Sequence, residues 1–128
     1  MSDKHIVESS DAPAPIGPYS QAVSANGFLF VSGQIALDPE NGTLVMENIE
    51  AETKQVMKNL EQILIAAGLN FSHVIKSSIF LSKMNDFPIV NRIYGARFPE
   101  NPPARETIEV SALPKGVNVE ISVIALDK

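Results

Sequence analysis

Residues 117–126, VNVEISVIAL, decide the fold of this chain. The odd-numbered positions from Val117 to Val123 are apolar, and apolar residues also occupy the even positions Ile124 and Leu126. A strand with apolar residues at both odd-numbered and even-numbered positions is typical of a sheet whose two faces are both covered. The segment therefore predicts a central strand and requires something to cover each face.

The rest of the chain predicts further strands and two helices. Asn26-Gly27 favours a type I′ hairpin turn, because both residues tolerate positive φ. Apolar residues spaced by three and four predict a helix over 49–67, with Asn48 as N-cap and Gly68 as its stop. A second helix begins near Asp86. The remaining strands are predicted at 4–8, 21–25, 28–34, 74–82 and 105–111.

The resulting order is β, β, β, α, β, α, β, β, which indicates an α+β fold. Two helices cover only one face of a sheet of about six strands. No sequence remains in the chain to cover the second face, which is nevertheless apolar in part. We therefore expect oligomerisation through the sheet.

Length and composition restrict the function classes. The 128 residues suit a single domain, residues 1–128, and carry a formal net charge of −5, which argues against broad nucleic-acid binding. The absence of Cys excludes disulfides and thiol nucleophiles. His5 and His73 are not at metal-ligand spacing, so we expect no metal site. No signal peptide or membrane span is predicted, and we expect a cytoplasmic protein.

Two charged residues are candidates for chemistry. Glu120 lies inside the apolar last strand, where an unpaired carboxylate is costly. It is either paired with Lys or Arg across the sheet, or a general base with a raised pKa. Arg105 follows two prolines and opens a strand. It is either an ordinary surface arginine or an anchor for a substrate carboxylate.

Four polar or small residues are weaker candidates. Tyr19 ends a rigid Gly-Pro loop and is either a pocket hydroxyl or a half-buried packing residue. Ser32-Gly33 interrupts an apolar strand, which indicates either a bulge or the close approach of a ligand or backbone. Asn91 lies within the second helix as a surface amide or a buried hydrogen-bonding group.

Five separated sequence blocks carry a resemblance to the RidA family of reactive-intermediate deaminases. They span nearly the whole chain, in order and at the family's spacing. The blocks are Pro15-Ile16-Gly17-Pro18-Tyr19-Ser20-Gln21, Phe30-Val31-Ser32-Gly33-Gln34, Asn91-x-x-Tyr94, Pro103-Ala104-Arg105, and Leu113-Pro114-Lys115-Gly116 with Val119-Glu120-Ile121.

The resemblance implies a fold, an assembly and an activity. The fold is α+β and chorismate-mutase-like, a mixed six-stranded sheet with two helices on one face. The assembly is a homotrimer around a central sheet barrel, with active sites in clefts between subunits. The activity is hydrolysis of 2-imino acids or their enamine tautomers, such as 2-iminobutanoate and 2-iminopropanoate, to 2-oxo acids and ammonia. No cofactor is implied.

The resemblance also assigns roles to individual residues. Arg105 matches the arginine that grips the substrate carboxylate, and Glu120 matches the acid that helps to activate water. The pocket-lining positions correspond to Tyr19, Ser32, Gly33 and Asn91. Thr107, a further substrate-binding position, stands where many relatives carry Cys, and Ser122 where relatives often carry a second Glu.

Two alternative functions remain open at this stage. An endoribonuclease or translation inhibitor is ascribed to some relatives, although the net charge and the missing basic patch weigh against it. A non-catalytic small-acid-binding or chaperone-like protein would need Arg105 without requiring Glu120. The presence of both residues favours catalysis.

Overall fold

The computed structural model describes residues 3–127 and confirms the predicted order of elements. The two helices are α1 (Ile49–Ala66) and α2 (Phe87–Gly95). Short 3₁₀ turns lie at Phe71–His73, Met84–Asp86 and Pro114–Gly116. The strands are β1 (His5–Val7), β2 (Ala22–Ala25), β3 (Phe28–Gln34), β4 (Val74–Leu81), β5 (Ala104–Glu109) and β6 (Val119–Leu126).

The strands form one mixed sheet in the order β1-β2-β3-β6-β4-β5. Only β4 and β5 pair in parallel; α2 connects them, as a parallel crossover requires. The last strand lies between β3 and β4, at the centre of the sheet as predicted. It begins at Val119, two residues later than expected, because residues 114–116 form a turn.

Local sequence signals explain the turns and helix ends. Asn26 and Gly27 have φ values of 53° and 81°, which confirms the type I′ hairpin turn between β2 and β3. The Asn48 side chain accepts a hydrogen bond from the Ala51 N–H at 2.7 Å, as an N-cap does. Gly68 has a φ of 77° just past the end of α1.

The core lies between the two helices and one face of the sheet. Glu52, in the first turn of α1, is fully buried in this layer. Its carboxylate accepts hydrogen bonds from Asn118 N at 2.7 Å, Asn118 Nδ2 at 2.8 Å and Val119 N at 3.2 Å. The largest fully buried side chains on this side include Val56, Leu60, Ile63, Leu64, Ile79, Leu81, Val90 and Ile121.

The opposite face of the sheet, called here the open face, carries the apolar side chains at the even-numbered positions of β6. Phe28 pairs with Leu126 and Phe30 with Ile124 across β3 and β6. Phe28, Phe30 and Leu126 are 37%, 46% and 41% exposed. Ile108 of β5 adds a further exposed side chain. Exposed apolar side chains on one sheet face are typical of an interaction surface.

None of the helices described over residues 3–127 has the length and apolar character needed to cross a membrane.

Candidate active site

A cleft of about 350 Å³ opens beside the irregular part of β3. Its lining includes Tyr19, Ser32, Gly33 and Glu120, which define what we call the Glu120 cleft, together with the polar side chains of Gln21 and Gln34. Its apolar lining includes Ile16, Ile35, Leu37 and Pro114. The cleft thus gathers four of the residues singled out in the sequence, from three separate stretches of chain.

The bulge in β3 makes room for the Glu120 carboxylate. The β3–β6 register shifts between Val31 and Gln34, so that Ser32 and Gly33 bulge out of the ladder. A Cβ atom on Gly33 would lie 2.2 Å from Oε2 and 2.8 Å from Cδ of Glu120. The sequence alternatives for Ser32-Gly33 therefore both hold: the strand bulges, and another group approaches Gly33 closely.

Glu120 has no counter-charge among residues 3–127. Over residues 3–127 it takes part in no ion pair and no side-chain hydrogen bond, so pairing across the sheet is the wrong interpretation for the single chain. Partial burial raises the pKa of the Glu120 carboxyl, because desolvation penalises the charged form. A carboxylate of this kind accepts a proton at a pH closer to neutrality than an ordinary Glu.

The two hydroxyl groups of the cleft are held in different ways. Ser32 donates its hydroxyl proton to the Ser20 carbonyl at 2.6 Å, which leaves its oxygen lone pairs facing the cleft. The Tyr19 hydroxyl instead accepts from the Ile16 N–H at 3.3 Å, so its own proton stays available. Tyr19 is 49% exposed, which fits a residue at the rim of the cleft.

A second group of candidate residues, called here the Arg105 edge, consists of Asn91, Arg105 and Thr107. Arg105 Nη1 donates to Asn91 Oδ1 at 2.7 Å, which links β5 to α2. Arg105 is exposed, as expected for a surface arginine. Its guanidinium is nevertheless held by Asn91, as expected for an anchor of a substrate carboxylate, so each interpretation describes part of what is seen. Thr107 Oγ1 is buried and has no hydrogen-bond partner in the described chain.

The Glu120 cleft and the Arg105 edge lie on opposite faces of the sheet. Arg105 is in register with Ser77 of β4, which is buried beneath the helices, whereas Glu120 is in register with Phe80. Successive side chains on a strand alternate between faces, so Arg105 lies on the helix side and Glu120 on the open face. A single copy of the chain does not bring the two charged groups together.

His73, one of the two histidines of the sequence, has a structural role. His73 Nδ1 accepts from the Asn70 N–H at 3.1 Å and completes a capping box at the turn before β4. No group of three His, Asp or Glu side chains placed to hold a metal ion occurs among residues 3–127.

Comparison with known proteins identifies the family. Residues 9–127 match the family described as Endoribonuclease L-PSP. The chain belongs to this family. The resemblance to RidA proteins is thereby confirmed over nearly the full length, because the relatives of the L-PSP family found here include proteins that carry the RidA name.

Individual relatives agree in sequence and in fold. The mouse protein named 2-iminobutanoate/2-iminopropanoate deaminase is 46% identical over 123 residues, which cover 96% of this chain and 91% of the relative. A putative endoribonuclease of Thermotoga maritima superposes with a TM-score of 0.94 at 44% identity, covering 97% of this chain and 98% of that one. TdcF of E. coli, solved with bound serine, gives 0.91 at 33% identity, covering 97% and 99%.

Sequence reasoning missed two aromatic contacts of Arg105. The Arg105 Cζ atom lies 5.4 Å from the ring centroid of Phe87 and 5.2 Å from that of Tyr94. Tyr94 was quoted above only within the block Asn91-x-x-Tyr94. The signal was their spacing: Phe87, Asn91 and Tyr94 are four and three residues apart, so they share one face of the helix.

Proposed function

We propose that this chain hydrolyses small 2-imino acids and their enamine tautomers, such as 2-iminobutanoate and 2-iminopropanoate, to 2-oxo acids and ammonia. The observation that carries the proposal is the Glu120 carboxylate, partly buried, without a counter-charge, and placed over Gly33 in a cleft. The name of the mouse relative supports this reaction, and the serine bound to TdcF supports a small amino-acid-like ligand.

Arg105 supplies the recognition step in this proposal. A guanidinium offers paired N–H donors that match the two oxygens of a carboxylate. Asn91 occupies only Nη1, so donors remain for the substrate carboxylate. Binding of that carboxylate holds C2 of the substrate in one position, and Asn91 keeps the guanidinium oriented toward it.

Glu120 supplies the proton transfers. The carboxylate accepts a proton from a water molecule as the water oxygen bonds to C2 of the protonated imine, which gives a tetrahedral amino alcohol. Return of that proton to nitrogen makes ammonia the leaving group. The C2–N bond then breaks as the C2–O double bond forms, and the hydroxyl proton passes to the Glu120 carboxylate. The protonated imine is already electrophilic, so we propose that the reaction uses no cofactor; its site of action is the cytoplasm.

A homotrimer completes the site by bringing the Glu120 cleft of one copy against the Arg105 edge of the next. Two features support this assembly. The charged groups lie on opposite faces of one sheet, and the open face carries exposed Phe28, Phe30 and Leu126 that a neighbouring copy would cover.

Subunit complementation tests the shared site. Arg105→Ala and Glu120→Gln chains, each nearly inactive alone, are co-expressed with different tags and assayed on 2-iminobutanoate made in situ by a dehydratase. Random assembly of trimers restores about a quarter of the sites, because each mixed trimer contains one cleft with both intact groups.

Two outcomes contradict the proposal separately. If the co-expressed chains are no more active than the sum of the two variants assayed separately, a site shared between copies is excluded. Wild-type protein that forms 2-oxobutanoate no faster than free solution has no such activity, and 2-oxobutanoate binding without turnover then favours a non-catalytic small-acid-binding protein. RNA cleavage that is equal in wild type and Arg105→Ala would place any ribonuclease activity outside this site.

A further inference from the structure

The guanidinium of Arg105 is enclosed by one face of α2. Its Cζ atom lies 5.4 Å from the Phe87 ring centroid and 5.2 Å from the Tyr94 ring centroid. Asn91, between them in sequence, accepts from Nη1 at 2.7 Å. Over residues 3–127 the arginine forms no ion pair with an acidic side chain, so these three contacts on α2 fix its direction.

The two rings are themselves anchored in the core. Tyr94 is only 4% exposed, and its hydroxyl donates to Ser77 Oγ at 2.8 Å. Ser77 is fully buried and is in register with Arg105 across the parallel β4–β5 pair. The Tyr94 ring also packs 4.7 Å from the Phe98 centroid, and Phe87 is half-buried against the same core. The ring positions are therefore set by the core and not by the arginine.

Aromatic rings hold a guanidinium without using its hydrogen-bond donors. The ring faces attract the cation electrostatically, whereas a carboxylate partner would compete for the N–H groups that a ligand needs. An arginine that is already ordered loses less side-chain entropy when a ligand binds. The arrangement fixes the cation and leaves its remaining N–H groups free.

We infer that Phe87 and Tyr94 are positioning residues that pre-organise Arg105 for the carboxylate of the substrate. The identity of that carboxylate rests on the proposed function. Substrate and transition state carry the same carboxylate, so loss of a ring weakens both to the same extent. The expected consequence is a higher KM with little change in kcat.

Phe87→Leu is the decisive variant, because Phe87 is only half-buried and its replacement leaves the fold intact. We expect KM and the dissociation constant of 2-oxobutanoate, measured by calorimetry, to rise about fivefold. Phe87→Tyr retains the ring face and should behave like wild type. Phe71→Leu is the control for general packing: at a more deeply buried position it removes the same kind of contact from another arginine, Arg97, whose Cζ lies 5.1 Å from the Phe71 ring.

A chemical readout separates this inference from the proposed function. Phenylglyoxal modifies accessible guanidinium groups, and peptide mass spectrometry follows Arg105 with Arg92 as the internal reference. Release from the ring accelerates Arg105 modification in Phe87→Leu about threefold and leaves Arg92 unchanged. This measurement decides the inference even for a protein that turns over no imine.

The inference is overturned if Phe87→Leu binds 2-oxobutanoate and reacts with phenylglyoxal as wild type does. It is also overturned if Phe87→Tyr loses as much affinity as Phe87→Leu, or if Phe71→Leu reproduces the effect. Either of those results would make the change a consequence of general packing.

Discussion

The Glu120 cleft and the Arg105 edge hold opposite charges in opposite ways. Glu120 is partly desolvated, and its side chain has no polar partner among the described residues 3–127, whereas Arg105 is exposed and makes three contacts with α2. Desolvation changes how readily a group exchanges a proton, and fixed contacts change where a group points. On the proposed function, the fold prepares Glu120 for proton transfer and Arg105 for orientation of the substrate.

The largest effect is expected from removing the oriented charge. Arg105→Ala should lower kcat/KM for 2-iminobutanoate about 1,000-fold, because the substrate carboxylate loses its charged partner. Sedimentation should show an unchanged assembly. Arg92→Ala is the control, since Arg92 lies on α2, the helix that Arg105 contacts, but pairs with Glu50 at 3.8 Å and faces solvent. Near-wild-type kcat/KM in Arg105→Ala would remove the carboxylate anchor.

Replacing Glu120 with an uncharged residue tests the role of the Glu120 cleft. Glu120→Gln should lower kcat about 100-fold, at the lower end for a lost general base, because the protonated imine is already reactive. In wild type, kcat/KM should fall as the pH drops through the raised pKa of Glu120, since the protonated form accepts no proton. Glu120→Gln should lack this acid limb. A wild-type rate in Glu120→Gln would show that the surrounding cleft and water suffice.

Displacing the carboxylate without removing it should have a smaller effect. A methyl group on Gly33 would overlap the Glu120 carboxylate at 2.2 Å, and the flexible side chain must move away. We expect Gly33→Ala to reduce kcat about 30-fold while circular dichroism shows an intact fold. Gly95→Ala is the matched control, because a Cβ there meets nothing within 4 Å. Equal kcat values in Gly33→Ala and Gly95→Ala would show that the position of the Glu120 carboxylate does not affect turnover.

The smallest expected effect is on stability. The pKa of Glu120 is raised in the folded state. Above this pKa, burial of the charged carboxylate lowers the free energy of unfolding, and below the pKa of the unfolded chain this loss is absent. Glu120→Gln should therefore melt slightly higher than wild type at pH 7. Its advantage should shrink as the pH falls through the pKa of Glu120. A constant difference in melting temperature from pH 4 to 7 would contradict desolvation as the cause.

Much of the candidate site was predictable, but its division between two faces was not. Five sequence blocks located Tyr19, Ser32, Gly33, Arg105 and Glu120 by number. The faces of Arg105 and Glu120 depend on the register of β4 with β5 and with β6, which pairs Ser77 with Arg105 and Phe80 with Glu120. The buried role of Glu52 was also out of reach, because its partners at Asn118 and Val119 are 66 and 67 residues away in the chain.

The sequence by itself determined the order of elements, the turn at Asn26-Gly27 and the Asn48 cap, because each of these depends on neighbours within a few residues. Tertiary structure alone decided that Gly33 receives the Glu120 carboxylate and that the rings of α2 enclose Arg105. Those contacts join segments that are distant in the chain. Packing and register bring them together, and no local periodicity records which residues will meet.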